Sequence, residues 1–461
     1  MKRRNFIQQT GLAAGGLLAS SAFGRGFGMA PKPSVVIVGA GFSGLAAACQ
    51  CRKLGMEVTV LEARSRVGGR VHSFTTDTPE QFVIELGAEW IGQSHTRMLQ
   101  LCEEHKLALL NNQMKTSLQY KGNFYNPEAL AGKKDPQWEL KWEQLKKQYA
   151  ELPEADRNAR FDGMDWWRYL KLNNIPDFDL DYRELADSTD FGESIRHVSA
   201  AAALSEYAAP DLVSQNNEMD LKIVGGNDLL AKKMAEKIGW NHIMLGQTVT
   251  KIVQPKAGKV TVTVANGKTY IADKVICTVP TFALRKIDWQ PALPQRIVLA
   301  TNALQYARIN KHPIQFSKKF WGSDDFDFLT DLPNHYFYHA TIGQSAQKGI
   351  LTSYTIGDKA ALFGANGTND QWNTVLIDEA MRQGFGDVRP FIEKQWNYHW
   401  GDDKYSFGAY ALFRPGQWPS LQVALQKPFI NVHFAGEHLA DWQGFMEGAI
   451  NTGEDAANAL K

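Results

Sequence analysis

The chain has 461 residues, 44% of them hydrophobic and 21% charged, with a formal net charge of +1. That is length for two domains or one composite domain with an ample core, in a composition ordinary for a globular protein. A charge this close to zero steers no polyanion, which argues against nucleic acid as a partner, and four cysteines make no disulfide framework.

Residues 1–27 run K-R-R-N-F-I, then a glycine- and alanine-rich apolar stretch, then S-S-A-F-G. Arg3-Arg4 ahead of an aromatic residue and a short apolar core has the form of a twin-arginine export signal; the other reading is an untargeted basic tail. Export makes the precursor a client of the twin-arginine machinery and the mature protein an exported, periplasmic one. No later run reaches the ~18 apolar residues of a membrane span. The chain stops at Lys461, just past its last helical pattern, so no membrane anchor is expected in the mature protein.

The stretch from Val35 to Arg70 organises the rest of the chain. A β-branched run, V-V-I-V, enters G-A-G-F-S-G; an alanine-rich helix comes next, and a second strand, E-V-T-V-L-E-A-R, ends in an acid. This is a βαβ unit with G-x-G-x-x-G at its first turn. Gly39 serves the tight turn, Gly41 the close approach of backbone to a pyrophosphate, and Gly44 the packing of helix on strand. Ala40 and Ser43 complete the turn, and the helix N-terminus offers unpaired N–H groups and a positive dipole end to phosphates. Glu62, about 20 residues on, is placed to accept from ribose hydroxyls, with Ala63 beside it. The motif implies a dinucleotide on a Rossmann-type fold without separating NAD from FAD. The continuation separates them. Arg64, Gly68, Gly69 and Arg70, in L-E-A-R-S-R-V-G-G-R, resemble the second glycine motif of the flavin amine oxidase superfamily, and planar guanidinium forks suit a diphosphate.

Next comes E-L-G-A-E-W-I-G (85–92). It resembles the turn that brings backbone against the flavin ring in monoamine oxidases, with Gly87 and Ala88 permitting the approach and Glu89 and Trp90 next in line. The blander reading is a turn leading into a helix. From about Asn112 to Met219 the apolar spacing turns helical and strand signals fade, as in W-E-L-K-W-E-Q-L-K-K-Q; tryptophans there read as core. Strands return at 221–230, 248–253, 259–264 and 274–280, with Asn266-Gly267 as a hairpin signal. Residues 291–394 alternate strands and turns, and V-H-F-A-G-E-H leads into a closing helix.

Motifs dispersed from Val35 to Ala457 make the chain similar to flavin-dependent amine oxidases, monoamine oxidases above all. The fold class this implies is α/β (α+β). A discontinuous Rossmann-type FAD-binding domain occupies 34–111, 220–290 and 395–461, with a mixed sheet-plus-helix substrate-binding domain inserted as 112–219 and 291–394. By the resemblance, Val249 meets the adenine through its backbone, and Lys311, counted back from Phe320-Trp321, holds a water beside flavin N5. Trp400 packs against the flavin. Y-S-F-G-A-Y-A-L-F-R-P-G (405–416) matches the segment where monoamine oxidases attach FAD through cysteine; Ala409 stands there, so FAD is expected to be non-covalent. Tyr410 matches the first wall of an aromatic cage. Phe445 matches the second, where monoamine oxidases carry tyrosine. Gly436 and Glu437, with Gly444, Phe445 and Met446 at the head of the last helix, match the C-terminal flavin contact. Glu437 is assigned to the diphosphate–ribitol region.

The implied activity is oxidation of a primary amine by hydride transfer from its α-carbon to flavin N5, with dioxygen as acceptor. The products are an imine, then aldehyde and ammonia, and hydrogen peroxide. No residue of these motifs is an obvious strong base, so loss of the ammonium proton is expected to fall to solvent. An L-amino-acid oxidase is the first alternative, with Arg97 or Arg308 for the substrate carboxylate, and a polyamine oxidase the second. A flavin-binding protein without turnover is a third reading, which bleaching of the flavin by a substrate would exclude. No metal is expected, because His335 and His339 lie in N-H-Y-F-Y-H-A, which reads as strand or loop.

Overall fold

A computed structural model describes residues 32–208, 220–344, 347–366, 370–441 and 443–461. The export signal expected at 1–27 lies outside the described residues, and Pro33–Lys461 forms one compact unit.

Five short apolar segments build a parallel sheet, in the order Val432–Phe434, Lys274–Cys277, Ser34–Val38, Glu57–Leu61, Ile243–Met244. Most of their apolar side chains are buried, because helices cover one face of the sheet and the strands Val249–Val253, Val260–Val264 and Thr269–Ala272 pack against the other. The first helix, Phe42–Lys53, leaves the Ser34–Val38 strand through the glycine turn and lies against the last helix, Met446–Asn458. Small residues let the two helices approach. A Cβ added at Gly453 would stand 2.1 Å from the Ser43 carbonyl oxygen, so only glycine fits that crossing.

An eight-stranded sheet has the order Ile392–Gln395, Ile309–Phe316, Gly349–Ile356, Tyr336–His339, Phe326–Thr330, Lys115–Tyr120, Asn123–Tyr125. Its remaining short strand, Tyr398–His399, pairs with Asn310 and Lys311, which brings Trp400 to the same place. Beside this sheet stand the helices Pro136–Glu151, Glu154–Phe161, Trp166–Leu172, Asp177–Phe191 and Ala200–Tyr207. Asp135, Asp165 and Ser199 cap three of them, each side chain accepting a backbone N–H from the first turn. Trp138, Trp142 and Trp166 are buried in their core.

Three sequence expectations change. Residues 291–394 are not strands and turns alone, since the helices Gln295–Ala303, Gly357–Asn366 and Asp370–Phe385 lie among them. Residues 112–219 are not purely helical, since Lys115–Tyr120 is a strand paired in parallel with Phe326–Thr330. Its polar K-T-S-L-Q-Y hides the strand pattern because Ser117 and Gln119 are themselves buried between neighbours. The strand expected over 221–230 is only Leu221–Ile223, because Gly225 and Gly226 take φ of +83° and +109° and Asp228 begins a helix. The Asn266-Gly267 turn joins Val260–Val264 to Thr269–Ala272 as expected, with Gly267 at φ +84°. Among the described residues, no helix is long and apolar enough to cross a membrane.

Candidate active site

A cavity of about 880 Å³ extends from the glycine turn to the eight-stranded sheet, and every residue assigned to the flavin or the amine site lines it except Ala40 and Gly44. Those two build its wall. The Ala40 N–H donates to Glu62 Oε2 at 2.7 Å, and a Cβ on Gly44 would lie 1.9 Å from the Gly39 carbonyl oxygen. The two glycine motifs clasp each other, with the Gly68 N–H bonded to the Ala40 carbonyl at 2.8 Å. Gly41 differs from Gly44. A Cβ there meets nothing nearer than the Gly69 Cα at 4.0 Å, so the space it faces is cavity.

This cradle fits the diphosphate of FAD. The first helix has no acid in its first turn and no side-chain cap, so its leading N–H groups face the cavity unopposed. The Ser43 hydroxyl and Arg64 Nε are buried here with no partner among the described residues, two orphaned donors where phosphate oxygens are expected. The guanidinium forks are less free than the sequence suggested. Arg64 Nη2 donates to Asp403 Oδ1 and Ser406 Oγ, both at 2.7 Å, and Arg70 Nη1 pairs with Glu437 Oε1 at 2.7 Å. Each arginine thus meets a carboxylate contributed from beyond residue 400. Glu62 braces the turn, its oxygens accepting the Ala40 and Arg64 N–H groups at 2.7 and 2.8 Å. Burial pushes its carboxyl upward and outweighs those bonds. For Glu437 burial also works upward, but the Arg70 charge wins and holds the group below its ordinary value. Its second oxygen accepts the Gly444 N–H at 2.9 Å, fixing the loop that presents Phe445 and Met446.

Lys311 is where the structure departs most from expectation. Its ammonium, expected to hold a water, spends three donors on protein: the Glu85 and Gly87 carbonyls at 3.1 and 2.9 Å and Glu89 Oε2 at 3.1 Å. Glu89, expected as a cofactor contact, is the buried counter-ion of this lysine. It also takes the Tyr338 hydroxyl at 2.5 Å and has Lys222 Nζ 3.5 Å away. Burial works to raise its carboxyl, and the two lysines prevail and lower it. Glu85, one turn earlier, is pushed up to about 7 by burial and then by the Glu89 charge. The 85–90 turn is thereby pinned from below, and the Trp90 ring lies over Lys311 with Tyr338 and Tyr354 around it.

At the sheet end, the Tyr410 hydroxyl donates to the Thr189 carbonyl at 2.9 Å and stands 3.4 Å from the Tyr354 hydroxyl. A Cβ on Gly444 would touch the Tyr410 ring at 3.0 Å, so glycine lets the ring lie against this loop. Phe445, the N-cap of the last helix, sits edge-on to His95 at 5.3 Å. Trp400 is buried, its indole donating to the Leu86 carbonyl at 2.7 Å. Val249 lines the cavity from its strand, as do Ala63, Ala88, Gly436 and Met446.

Sequence reasoning missed Asn112, Asp190, Asp327, Tyr336 and Tyr354, all on the cavity wall. Asp327 accepts the Tyr336 hydroxyl at 2.7 Å, and burial pushes it up to about 6. Neither polar atom of the buried Asn112 side chain has a partner among the described residues. No spacing rule marks these positions; the register of Lys115–Tyr120 against Phe326–Thr330 sets Asp327 opposite Thr116, and both line the cavity with Asn112. Arg97 and Arg308 do not line the cavity. Arg97 pairs with Glu104 and Glu454, Arg308 with Glu193 and Asp358.

Known proteins share this architecture. A family model described as flavin containing amine oxidoreductase matches residues 42–461. An L-amino-acid oxidase of Crotalus adamanteus is 28% identical, the match covering 92% of this chain and 86% of that protein. The L-amino acid oxidase Lm29 of Lachesis muta is 29% identical over the same shares. Among solved structures, a wild-type putrescine oxidase bound to putrescine superposes with a TM-score of 0.81 at 23% identity, covering 93% of this chain and 99% of that one. Cyclohexylamine oxidase from Brevibacterium oxydans gives 0.80 at 21% identity, with 93% and 99% covered. These likenesses show the shared fold.

Proposed function

The chain belongs to the flavin-containing amine oxidoreductase family, and on that premise we propose that it is an oxidase of primary amines with dioxygen as electron acceptor. It is an oxidoreductase whose cofactor is FAD. Ala409 carries no nucleophile and no cysteine lines the cavity, in keeping with FAD held without a covalent link. Bound FAD supplies the acceptance of a hydride equivalent from the amine α-carbon and its passage to dioxygen, giving hydrogen peroxide. The residues supply the rest. Tyr410 and Phe445 offer π-faces between which an alkylamine is held and oriented. The unpaired N–H groups at the start of Met446–Asn458 favour negative charge at their end of the cavity. The imine leaves for hydrolysis to aldehyde and ammonia.

One observation carries the choice of an amine. The sheet end of the cavity presents Asp190 and Asp327, while the lysine that reaches it, Lys311, is already neutralised by Glu89. A substrate ammonium finds carboxylates there; among the described residues an amino-acid carboxylate finds no free guanidinium at that end. The similarity to L-amino-acid oxidases supports the second reading, an amino-acid substrate.

The test is anaerobic mixing of FAD-loaded protein with aliphatic and aryl primary amines. Bleaching of the flavin, with peroxide on readmitting air, is the expected result. Bleaching by L-amino acids alone would overturn the proposal. Within the site, Tyr410→Phe removes one hydrogen bond worth ~0.5–1.5 kcal/mol, so kcat/KM should fall by less than ~10-fold. Tyr410→Ala removes a wall of the cage and should cost ~100-fold or more. Equal losses in the two variants would show that the hydroxyl, not the ring face, does the positioning.

A further inference from the structure

A second chamber of about 290 Å³ adjoins the main cavity, and three residues, Tyr182, Ala186 and Asp190, line both. Its far wall includes Glu139, which is exposed at the protein surface. Asp190 therefore stands at the junction between the amine cavity and a polar passage outward. It is the penultimate residue of the helix Asp177–Phe191, one residue after Thr189, whose carbonyl holds the Tyr410 hydroxyl at 2.9 Å. The contact that fixes the cage ring thus also fixes the backbone carrying this carboxylate. One of its oxygens accepts the Tyr207 hydroxyl at 2.7 Å.

The surroundings point to a cationic or hydrogen-bonding ligand. Asp327 is 4% exposed with Oδ1 unpartnered among the described residues, and Asn112 is 1% exposed with its whole amide unpartnered; both line the same cavity. An alkylammonium entering it must lose a proton before its α-carbon gives up a hydride, because the nitrogen lone pair drives that step.

We infer that Asp190 is the proton acceptor for the bound substrate ammonium and that the side chamber returns the proton to solvent. This rests on the amine reading above and replaces the expectation that solvent alone takes the proton. The step balances: the ammonium N–H bond breaks, its electron pair stays on nitrogen as the lone pair, and an O–H bond forms on Asp190. Nothing is oxidised or reduced. The carboxyl then releases its proton through the chamber and is reset.

The groups facing Asp190 set its working range. Tyr182, Arg183 and Asp187 come from its own helix, Tyr207 and Glu206 from Ala200–Tyr207, Lys134 from the chamber wall ahead of Pro136–Glu151, and Tyr336, Tyr354 and Tyr410 from across the cavity. Burial pushes Asp190 up to about 7, the Tyr207 hydrogen bond and the Arg183 charge work downward, and the Asp187 charge works upward. That value suits a base at neutral pH.

The experiment is the pH dependence of kcat/KM for a primary amine, in enzyme of matched FAD content. Wild type should show a rising limb near neutrality. In Asp190→Asn, kcat/KM at pH 7 should fall ~100-fold, and the limb should move toward the ~10.4 of a free alkylammonium. Asp190→Glu should restore a near-neutral limb. Tyr207→Phe, which keeps the carboxylate but removes the bond that lowers it, should move the limb upward, and it carries the test if Asp190→Asn does not fold. Binding of tert-butylamine, which has no α-hydrogen to lose, should show the same displacement when measured as a shift in Tm. An unchanged limb in Asp190→Asn, or in Tyr207→Phe, overturns the inference. A wild-type enzyme that turns over no amine fails the amine reading instead, so the two failures are told apart.

Discussion

Lys311→Met is expected to abolish nearly all turnover and, unusually for one site residue, to destabilise the fold by ~3–5 kcal/mol. The reason is Glu89. In the wild type its buried carboxylate is held by Lys311 at 3.1 Å, with Lys222 at 3.5 Å and Tyr338 at 2.5 Å. Methionine fills a similar space but leaves one carboxylate oxygen without its cation and two backbone carbonyls, of Glu85 and Gly87, without their donor. The 85–90 turn then loses its pin, and with it the placement of Gly87, Ala88 and Trp90 on the cavity wall. Misplacing that wall should cost ~100-fold or more in turnover. Pairing the change with Glu89→Gln separates the two effects. The double variant should recover most of the lost Tm, because no buried charge is left unpaired, while turnover stays low. A single variant as stable as the wild type would show that Glu89 does not depend on this lysine.

Gly44→Ala should prevent assembly of the dinucleotide half of the protein. Its Cβ would sit 1.9 Å from the Gly39 carbonyl oxygen and 2.9 Å from the carbonyl carbon, a clash of backbone with backbone that no rotamer relieves. The first helix would have to move off the strand, and Gly453 and Ser43, themselves in close contact, would have to part. Insoluble protein, or soluble protein with under about a tenth of the wild-type FAD, is the expected outcome. Gly41→Ala is the control. Its Cβ finds no atom nearer than 4.0 Å, so the apoprotein should keep its Tm while FAD binds at least ~10-fold more weakly. Retention of full FAD affinity by Gly41→Ala would mean that the diphosphate does not lie against this turn.

Legibility in the sequence depended on how local each signal is. The βαβ unit could be read because V-V-I-V, the three glycines and Glu62 lie within one run, and each acts on its neighbours. Tyr410, Phe445 and Glu437 lie far from it and were placed by resemblance alone. Glu89 was visible as an acid inside the apolar run L-G-A-E-W-I-G, yet its partner is Lys311, far along the chain on a strand of the eight-stranded sheet. The carboxylate and ammonium partners of Glu89 and of the Arg64 and Arg70 forks were therefore not foreseen. An unpaired charge invites assignment to a ligand until a distant carboxylate or ammonium claims it. Asp190 and Asp327 were illegible for a related reason. One ends a helix and the other sits in a strand, and only tertiary packing sets both on a single cavity wall.

The central claim is that this cavity takes an amine and not an amino acid. The most direct measurement compares kcat/KM for 2-phenylethylamine and L-phenylalanine, which differ only in the carboxylate, by peroxide release from FAD-loaded enzyme. The amine should be preferred by ~100-fold or more, because the added carboxylate would be buried near Asp190 and Asp327 without a cation, at a cost of ~3 kcal/mol. Equal or better turnover of L-phenylalanine would contradict the account.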